Sequence, residues 1–569
     1  MQNQSTRTSL FLALLGAVFY IPFLGGVHLF DWDEINFAEI SREMLMTKEY
    51  FRVYVNFKPF WEKPPLFFWL QSLAMEGFGV GEFAARLPNA LCGIATLILV
   101  YQIGRRLYNH RFGLVWALTF FGTVLPFLYF KSGIIDPWFN FFIFAGLYHF
   151  ILFYWKKDGF ELDLPKNKWL YLFLGGFWIG MGILTKGQTA YLLAALTMGV
   201  YWVGQRFRMY VSVPQFLFFT LAATLVTFTW YGLETWKNGT WFITEFNKYQ
   251  YRLFSTPDAG HKGFPGYHFV VLLIGCFPAS IFALRAFWKM PREEFRYRED
   301  FRRWMKYLFW VVLILFSIVK SKIVHYSSMC YFPLTFLAAL TMDKIIAGDI
   351  RLNGWMKFGL WAIAGLFILA VCAMPFLAMN IEVLKPLFND PFAQANLEAD
   401  VRWTGWEVIP GVFLLGVMAV AFYYFRKGQV AAGAQLSESW KLSESSSRQR
   451  GFQILFLGTG VFVLLTLIFF IKRIEGYSQR AAIEFFESKI GQDCYVVPHG
   501  YRSYAHLFYT RKPKVTNEKS YDRDWLYTGD IDKDVFVSVK IHRAHEVAAI
   551  PGMEEVGRKN GFVFFRRRE

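Results

Sequence analysis

The stretch from Phe83 to Phe130 reads FAARLPNALCGIATLILVYQIGRRLYNHRFGLVWALTFFGTVLPFLYF and joins two apolar runs through a short basic connection. Phe83 to Ile103 and Phe112 to Phe130 are each close to the ~20 residues that a helix needs to cross the hydrocarbon core of a bilayer. The connection contains Arg105, Arg106 and Arg111. Because Lys and Arg are enriched in cytoplasmic loops, this stretch predicts a helical hairpin in a membrane, with its turn in the cytoplasm.

The same pattern recurs along the whole chain and predicts an all-α polytopic membrane bundle of about thirteen spans. The sequence of 569 residues is 55% hydrophobic and only 18% charged, whereas soluble proteins are about 25% charged. A wholly soluble protein is therefore excluded. The other predicted spans are Leu10–Leu29, Pro137–Trp155, Trp169–Leu184, Thr189–Val203, Val213–Tyr231, Phe269–Trp288, Leu308–Val319, Tyr326–Met342, Trp355–Met379, Val408–Phe425 and Phe452–Ile471.

Lys and Arg cluster at every second connection, which predicts a cytoplasmic N-terminus and, with an odd number of spans, a C-terminus outside the cytoplasmic membrane. Ile21-Pro22-Phe23-Leu24 stands where a signal peptide would need small residues, so the first apolar stretch is interpreted as a retained span. The net charge of +17 is spread between apolar segments and does not favour nucleic acid as a partner. The five scattered cysteines favour neither a disulfide framework nor a zinc-cysteine site.

Composition divides the chain into a membrane domain over 1–475 and a smaller domain over 476–569. In the second part, 481–490 is compatible with a helix, and Cys494–Val497, Val535–Val539 and Phe562–Phe565 resemble short buried strands. This predicts a small α/β domain outside the membrane. The segment 426–450, with its Ser- and Glu-rich part, is predicted to be a cytoplasmic linker.

The outer connections carry most of the unusual polar residues, and the first of them covers residues 30–81. The spacing of Ile35, Ala38 and Ile40 predicts an amphipathic helix along the membrane interface. Asp33 and Glu34 fall at its N-terminus, where carboxylates cap the helix dipole. A carboxylate at this place can equally act as a general base on an acceptor, and the pattern alone leaves both interpretations open.

Further along the same connection, Lys63 precedes Pro64 and Pro65 and is followed by an aromatic run. Prolines start a helix but do not sit inside one, which would hold Lys63 at the headgroup boundary. There the ammonium can meet a lipid phosphate. Ordinary interfacial anchoring by Lys and Trp accounts for the pattern equally well.

Taken in order, the outer motifs resemble those of the bacterial membrane glycosyltransferases related to lipid A aminoarabinose transferases and protein O-mannosyltransferases. The resemblance is carried by D-E-x-x-x-A-E from Asp33, K-P-x-x-E-K-P-P-L-x-x-W from Lys58, E-F-A-A-R-L-P from Glu82, S-G-I-I-D-P from Ser132, L-T-K-G from Leu184, the loop from Tyr251 to His268 and K-S-K-x-x-H-Y from Lys320. It covers roughly Leu10 to Leu340.

The resemblance implies a GT-C type fold in the bacterial cytoplasmic (inner) membrane, with the active site and the terminal domain in the periplasm. It implies transfer of a sugar from a polyprenyl-phosphate donor to a glycolipid, glycan or protein acceptor. Asp33 matches the acidic position expected for the base, with Asp136 as a second carboxylate; inversion of configuration is a hypothesis. The candidates for holding the donor phosphate are Arg252 first, then Lys63, Lys320 and Lys322.

Other residues of these motifs are assigned by the same resemblance. His325, Tyr326 and Tyr267 are candidates for contact with the donor phosphate or the sugar. Glu62, His261 and His268 are candidate ligands of a divalent metal ion such as zinc, in a structural role, although their spacing is no recognised zinc signature. No cofactor is expected to be required for the transfer, and membrane lipids are expected partners.

One departure concerns the first motif, which often reads D-E-x-R-Y in the aminoarabinose transferases, whereas this chain has Asn36 and Phe37. That difference leaves the donor sugar open. Two other classes of protein remain as alternatives. A transporter or lipid flippase would place ionisable residues near the middle of the membrane, and a scaffold presenting the terminal domain would need none of the outer motifs.

Overall fold

A computed structural model describes residues 2–256, 263–288, 290–428 and 438–569. The first elements in chain order are α1 (Gln2–Tyr20), α2 (Asp33–Thr47), β1 (Tyr54–Val55), β2 (Lys58–Pro59), α3 (Leu66–Phe78), α4 (Glu82–Leu107), α5 (His110–Phe121), α6 (Val124–Tyr129), α7 (Asp136–Lys157), α8 (Lys168–Lys186) and α9 (Thr189–Gly204). There follow α10 (Val213–Asn238), α11 (Trp241–Ser255), α12 (Tyr267–Gly275), α13 (Ala279–Ala286), α14 (Arg296–Ile318), a 3₁₀ helix (Val324–Cys330), α15 (Tyr331–Ala347), α16 (Gly354–Met379), α17 (Ile381–Leu384), α18 (Pro391–Leu397), α19 (Ile409–Lys427), α20 (Glu438–Thr466) and α21 (Lys472–Gly476).

Every predicted apolar stretch coincides at least in part with a helix or a helix pair, which confirms a polytopic helical bundle. Eight of the described helices are long and apolar enough to span a membrane, or nine if α12 and α13, bent by 117°, form one broken span. The remaining predicted spans correspond to helices that are shorter, interrupted or more polar: α1, the α5–α6 pair, α9 and α14. The predicted number of about thirteen spans therefore stays a prediction.

Helices differ in how deeply they lie in the bundle. The segment Val324–Ala347 is 94% buried, whereas only 17% of Gly354–Met379 is buried. α15 therefore lies at the centre of the bundle, and the apolar surface of α16 is the kind of surface that faces lipid.

The helix predicted in the first outer connection is α2, and other parts of the protein enclose it. All residues of α2 from Glu34 to Met44 are buried, with α3 on one side and the helix Ala505–Tyr509 of the terminal domain on another. Its polar residues pair internally, because Arg42 donates to both carboxylate oxygens of Glu39 at 2.7 Å and to the carbonyl of Lys512 at 2.9 Å. The predicted helix in this segment is thus confirmed, and its placement along the membrane interface stays a prediction.

The terminal domain is a four-stranded mixed sheet with short helices, as the sequence predicts. Its elements are α22 (Arg480–Glu487), β3 (Tyr495–His499), α23 (Ala505–Tyr509), α24 (Arg523–Thr528), β4 (Val535–Lys540), α25 (Ala544–Ala548), β5 (Met553–Lys559) and β6 (Phe562–Arg567). The strand order is β3-β4-β6-β5, with β3 parallel to β4 and the other pairs antiparallel. A shared apolar cluster, with Leu29, Ile35 and Phe508 among its members, joins this domain to the first outer segment.

The predicted linker at 426–450 is helical over most of the part that the structure describes. α20 begins at Glu438 and continues into the apolar span, while residues 429–437 lie outside the described residues. Adding a residue to an existing helix is much easier than nucleating a new one. The helix of the apolar span therefore continues into the Ser- and Glu-rich sequence before it.

Candidate active site

A cavity of about 1110 Å³ lies where α2, α7, α8, α11 and the 3₁₀ helix meet the terminal domain. Its polar wall contains both expected carboxylates and several cations, and its other wall is apolar. The charged and polar lining residues include Asp33, Glu62, Lys63, Asp136, Lys186, Gln188, Tyr249, Arg252, His325, Tyr326 and Arg502. Residues from five of the predicted outer connections and from the terminal domain thus converge on one space.

The two expected carboxylates lie on either side of His325. Its Nε2 is 3.8 Å from Asp33 Oδ2 and 4.0 Å from Asp136 Oδ2. Each carboxylate stands at the first residue of a helix, Asp33 on α2 and Asp136 on α7, where the helix dipole favours negative charge. Asp33 is the more accessible of the two, with a side chain 30% exposed against 4% for Asp136.

Asp136 is paired with Lys186, the lysine of the L-T-K-G turn. Lys186 Nζ is 2.7 Å from Asp136 Oδ1, while Oδ2 has no hydrogen-bond partner among the described residues. The turn needs Gly187, which has φ +91° and whose Cβ, if present, would lie 2.2 Å from Cζ of Phe246. α8 therefore ends at the cavity with Lys186 aimed at Asp136.

A second group of cations surrounds Tyr249 on α11. Lys63 Nζ is 3.4 Å from the Tyr249 hydroxyl oxygen and 4.8 Å from the ring centroid, and Arg252 Cζ is 5.3 Å from the same centroid. Lys63 is buried. The first and second choices for the donor phosphate, distant in sequence, are therefore neighbours in the fold.

The cavity continues into an apolar part, which is lined by Leu192, Leu193, Ala195, Leu253, Phe254, Leu315, Phe316, Val319 and Ile323. These residues come from α9, α11, α14 and the segment after α14. An apolar channel beside a cationic pocket is the shape that a lipid phosphate requires.

Glu34 does not line this cavity in the described structure and has a structural environment instead. It is buried, 2.8 Å from Arg86 Nη2, and accepts hydrogen bonds from the backbone N–H of Phe30 and of Gly133. Burial alone would raise the pKa of this carboxyl, but Arg86 and the two N–H donors outweigh that effect and hold the pKa below its ordinary value. The position of Glu34 supports a structural role more than the catalytic one suggested by the motif.

Lys322, Lys320 and Tyr267 are also outside the described cavity lining. The Lys322 ammonium donates to the carbonyls of Phe316, Ser317 and Val319, at 2.5–3.1 Å, and so caps the C-terminus of α14. Lys320 is exposed just beyond the apolar part of the cavity. The geometry therefore separates these two lysines from the Lys63–Arg252 pair.

The candidate metal ligands are only partly described. Glu62 lines the cavity, His268 is fully buried with neither ring nitrogen hydrogen-bonded to a described residue, and His261 lies outside the described residues. Within the described ranges, no group of three or more His, Cys, Asp or Glu side chains is arranged to hold a metal ion. The metal site stays a prediction.

Two charged residues of the cavity lining, Lys186 and Arg502, were not singled out as site residues from the sequence. Lys186 was within reach, since it belongs to the quoted L-T-K-G motif. Arg502 carried no signal, because it stands in an unremarkable loop of the terminal domain and only the fold brings it to the cavity.

Comparisons with known proteins agree with this architecture. Residues 62–231 match the family described as dolichyl-phosphate-mannose-protein mannosyltransferase. The chain is 25% identical over 397 residues to an undecaprenyl phosphate-alpha-4-amino-4-deoxy-L-arabinose arabinosyl transferase of Photorhabdus laumondii, covering 68% of this chain and 69% of the relative. A relative of the same description from Edwardsiella ictaluri is 28% identical over 358 residues, covering 60% and 61% of the two chains.

The fold has a solved counterpart. The crystal structure of ArnT from Cupriavidus metallidurans bound to undecaprenyl phosphate superimposes with a TM-score of 0.74 at 18% identity, covering 99% of this chain and 98% of that one. The apo structure of the same protein gives 0.71 at 17% identity. The fold is thus that of the GT-C membrane glycosyltransferases, including the terminal domain.

Together, the multi-pass bundle, the cavity with one polar and one apolar wall, and the family match define a membrane-embedded glycosyltransferase. In sequence the chain is similar to the lipid A aminoarabinose transferases and, over residues 62–231, to the protein O-mannosyltransferase family.

Proposed function

We propose that this protein transfers a sugar from a polyprenyl-phosphate donor to lipid A, or to a related glycolipid of the cell envelope, on the outer side of the cytoplasmic membrane. The observation that carries the proposal is the placement of Asp33, Lys63 and Arg252 in the lining of one cavity that continues into an apolar channel. The polyprenyl chain fits the channel, and the donor phosphate fits the Lys63–Arg252 side.

The same geometry suggests a single displacement. The acceptor oxygen attacks the anomeric carbon of the sugar, and Asp33 accepts the proton that this oxygen loses. The bond from the anomeric carbon to the phosphate oxygen breaks, and its electron pair leaves with polyprenyl phosphate. Lys63 and Arg252 neutralise the charge that develops there. Attack from the side opposite the leaving group inverts the configuration.

Asp136 and Lys186 have a supporting part in this reaction scheme. Their ion pair fixes the floor of the cavity, and the second oxygen of Asp136 remains available to accept a hydrogen bond from a sugar hydroxyl. His325, between the two carboxylates, can donate to either. These groups orient the sugar without taking part in bond breaking.

The orientation across the membrane forms part of the proposal. α7 runs from Asp136 in the cavity to Lys156 and Lys157 at its other end, and its 22 residues span about 33 Å at ~1.5 Å per residue. That length matches a hydrocarbon core of ~30 Å. The basic end meets Arg208 and Arg296 from two other predicted cytoplasmic connections, so the cavity and the terminal domain would face the periplasm.

A direct test is mass spectrometry of the lipid A and glycoprotein fractions from a strain lacking this protein. We expect one lipid A species to lose the mass of one sugar, and re-expression of the wild-type chain to restore it. The family match also names a protein mannosyltransferase, which makes protein the second candidate acceptor. Loss of a sugar from glycoproteins with unchanged lipid A would favour that acceptor, and no change in either fraction would contradict the proposal.

A further inference from the structure

The terminal domain contributes one cation to the cavity, Arg502. It stands in the loop between β3 and α23, and its side chain is exposed to the cavity. Because β3 is parallel to β4, this loop leaves the sheet at the carboxyl end of a parallel strand, the usual position for ligand-binding loops in such sheets.

The loop that carries Arg502 is held firmly on both sides. Before it, the carbonyl of Gly500 accepts a hydrogen bond from Arg543 Nη1 at 3.0 Å. After it, Ser503 is buried and its hydroxyl accepts from the backbone N–H of Ala505 at 3.0 Å. The loop is therefore pre-organised, which lowers the entropy lost when a ligand binds.

The same loop also contacts the segment that carries the candidate base. The ring of Tyr504 packs on Trp32, with centroids 5.5 Å apart, and Trp32 immediately precedes Asp33. In the α23 helix that follows, the Tyr509 hydroxyl oxygen accepts a hydrogen bond from the backbone N–H of Leu29, at 2.7 Å. The loop that carries Arg502 into the cavity lining thus packs against the Trp32–Asp33 segment through Tyr504.

Arg502 differs from Lys186 and Lys63 in its surroundings within the described part of the chain. Lys186 is neutralised by Asp136 and Lys63 lies against Tyr249, whereas Arg502 has no ion pair or hydrogen bond with the residues that the structure describes. An exposed guanidinium in a fixed loop is suited to bidentate contact with a phosphate or carboxylate.

We infer that Arg502 binds an anionic group of the acceptor and thereby selects the acceptor next to the base. The inference rests on the proposed function. The donor phosphate already has Lys63 and Arg252 on the Tyr249 side, so a further cation on the loop that packs against the Trp32–Asp33 segment fits the second substrate. A terminal domain that supplies this residue is part of the active site and determines specificity.

The test compares Arg502→Ala, Arg502→Lys and wild type, with Arg523→Ala as the matched control, because Arg523 is an exposed arginine of the same domain outside the cavity lining. We expect Arg502→Ala to raise KM for lipid A about tenfold or more, the size of one lost charge-assisted contact. Arg502→Lys should recover part of this loss, and Arg523→Ala should match wild type. The Kd for polyprenyl phosphate should stay at the wild-type value in all three variants, which also shows that they fold.

A second measurement does not depend on acceptor turnover. In a binding assay, glucosamine 1-phosphate should displace lipid A from the wild type but should displace little or none from Arg502→Ala. Unphosphorylated glucosamine should displace lipid A from neither protein. An unchanged KM for lipid A in Arg502→Ala, or a weakened Kd for polyprenyl phosphate, would overturn the inference. If wild type itself transfers no sugar from a polyprenyl-phosphate donor, the proposed function fails instead.

Discussion

Lys186 Nζ and Asp136 Oδ1 lie 2.7 Å apart in the floor of the cavity, although the two residues are 50 positions apart in the sequence. The side chains are 17% and 4% exposed. Breaking a buried ion pair by removing one partner leaves a buried charge uncompensated. This pair therefore joins α7 to α8 at the point where both helices reach the site.

Replacing Lys186 should show how much the Lys186–Asp136 ion pair contributes to stability. We expect Lys186→Met to lower the free energy of unfolding by roughly 3–5 kcal/mol, seen as a lower melting temperature in detergent, and to reduce sugar transfer. The matched control is Lys248→Met, because Lys248 and Glu245 are also 2.7 Å apart but exposed, and exposed pairs contribute about 0–1 kcal/mol. Equal melting temperatures for the two variants would show that the buried pair is not structural.

The adjacent carboxylates Asp33 and Glu34 should respond differently to neutralisation. Glu34→Gln leaves the buried Arg86 guanidinium without its counter-charge, so we expect a loss of roughly 3–5 kcal/mol in stability. Asp33→Asn should leave the melting temperature near wild type, because Asp33 is partly exposed to the cavity. Thermal unfolding of the two variants side by side tests this contrast, and a more stable Glu34→Gln would contradict the structural role of that residue.

The cations around Tyr249 should control donor affinity. Lys63→Ala and Arg252→Ala should each weaken binding of polyprenyl phosphate about tenfold or more, because charge-assisted contacts contribute about 1.5–3 kcal/mol each. Lys320→Ala is the matched control, since Lys320 is exposed and outside the described cavity lining. A larger loss in Lys320→Ala than in Arg252→Ala would move the phosphate site towards the outer end of α14.

The stability of the protein should fall as the pH rises because of Glu43 on α2. Its side chain is fully buried, and burial, together with the nearby Glu39 carboxylate, raises its pKa from 4.5 to about 9. Between these values the folded protein holds a proton that the unfolded chain releases, so the free energy of unfolding decreases with rising pH across this window.

Glu43→Gln keeps the shape and the donor towards Glu39 but cannot ionise. We expect its melting temperature to depend less on pH between about 5 and 9 than that of wild type. The difference in melting temperature in favour of the variant should be largest at the alkaline end of this range. The exposed Glu49 on the same segment provides the control, since Glu49→Gln should follow the wild-type curve. Parallel curves for wild type and Glu43→Gln would show that Glu43 is not a buried neutral acid.

Periodicity and charge placement were sufficient to predict the membrane bundle and three strands of the terminal domain. Two of these strands are buried throughout their predicted ranges, Val535–Val539 in β4 and Phe562–Phe565 in β6, and β3 is buried at alternate residues. β5 was missed because its sequence, Met553–Lys559, is charged and its residues are largely exposed at the edge of the sheet. Hydrophobic patterns detect strands through burial, and an exposed edge strand does not produce that signal.

The site was predicted as a set of residues, but the sequence could not assign their environments. Asp33 and Glu34 are adjacent and chemically alike, yet the 100° rotation of a helix per residue sends one to the cavity and the other to Arg86 on α4. Lys322 belongs to the same motif as His325, yet it caps α14. Arg502 depends on how the terminal domain docks on α2, which is a tertiary contact between distant parts of the chain.

We propose that Asp33 acts on the acceptor in a cavity where other residues hold the donor. The most direct measurement is polyprenyl phosphate binding and sugar transfer in one purified preparation of Asp33→Asn. We expect a Kd equal to that of wild type and a transfer rate lower by about 10²–10⁴-fold, the usual contribution of a general base. Transfer at the wild-type rate, or loss of donor binding in this variant, would contradict the claim.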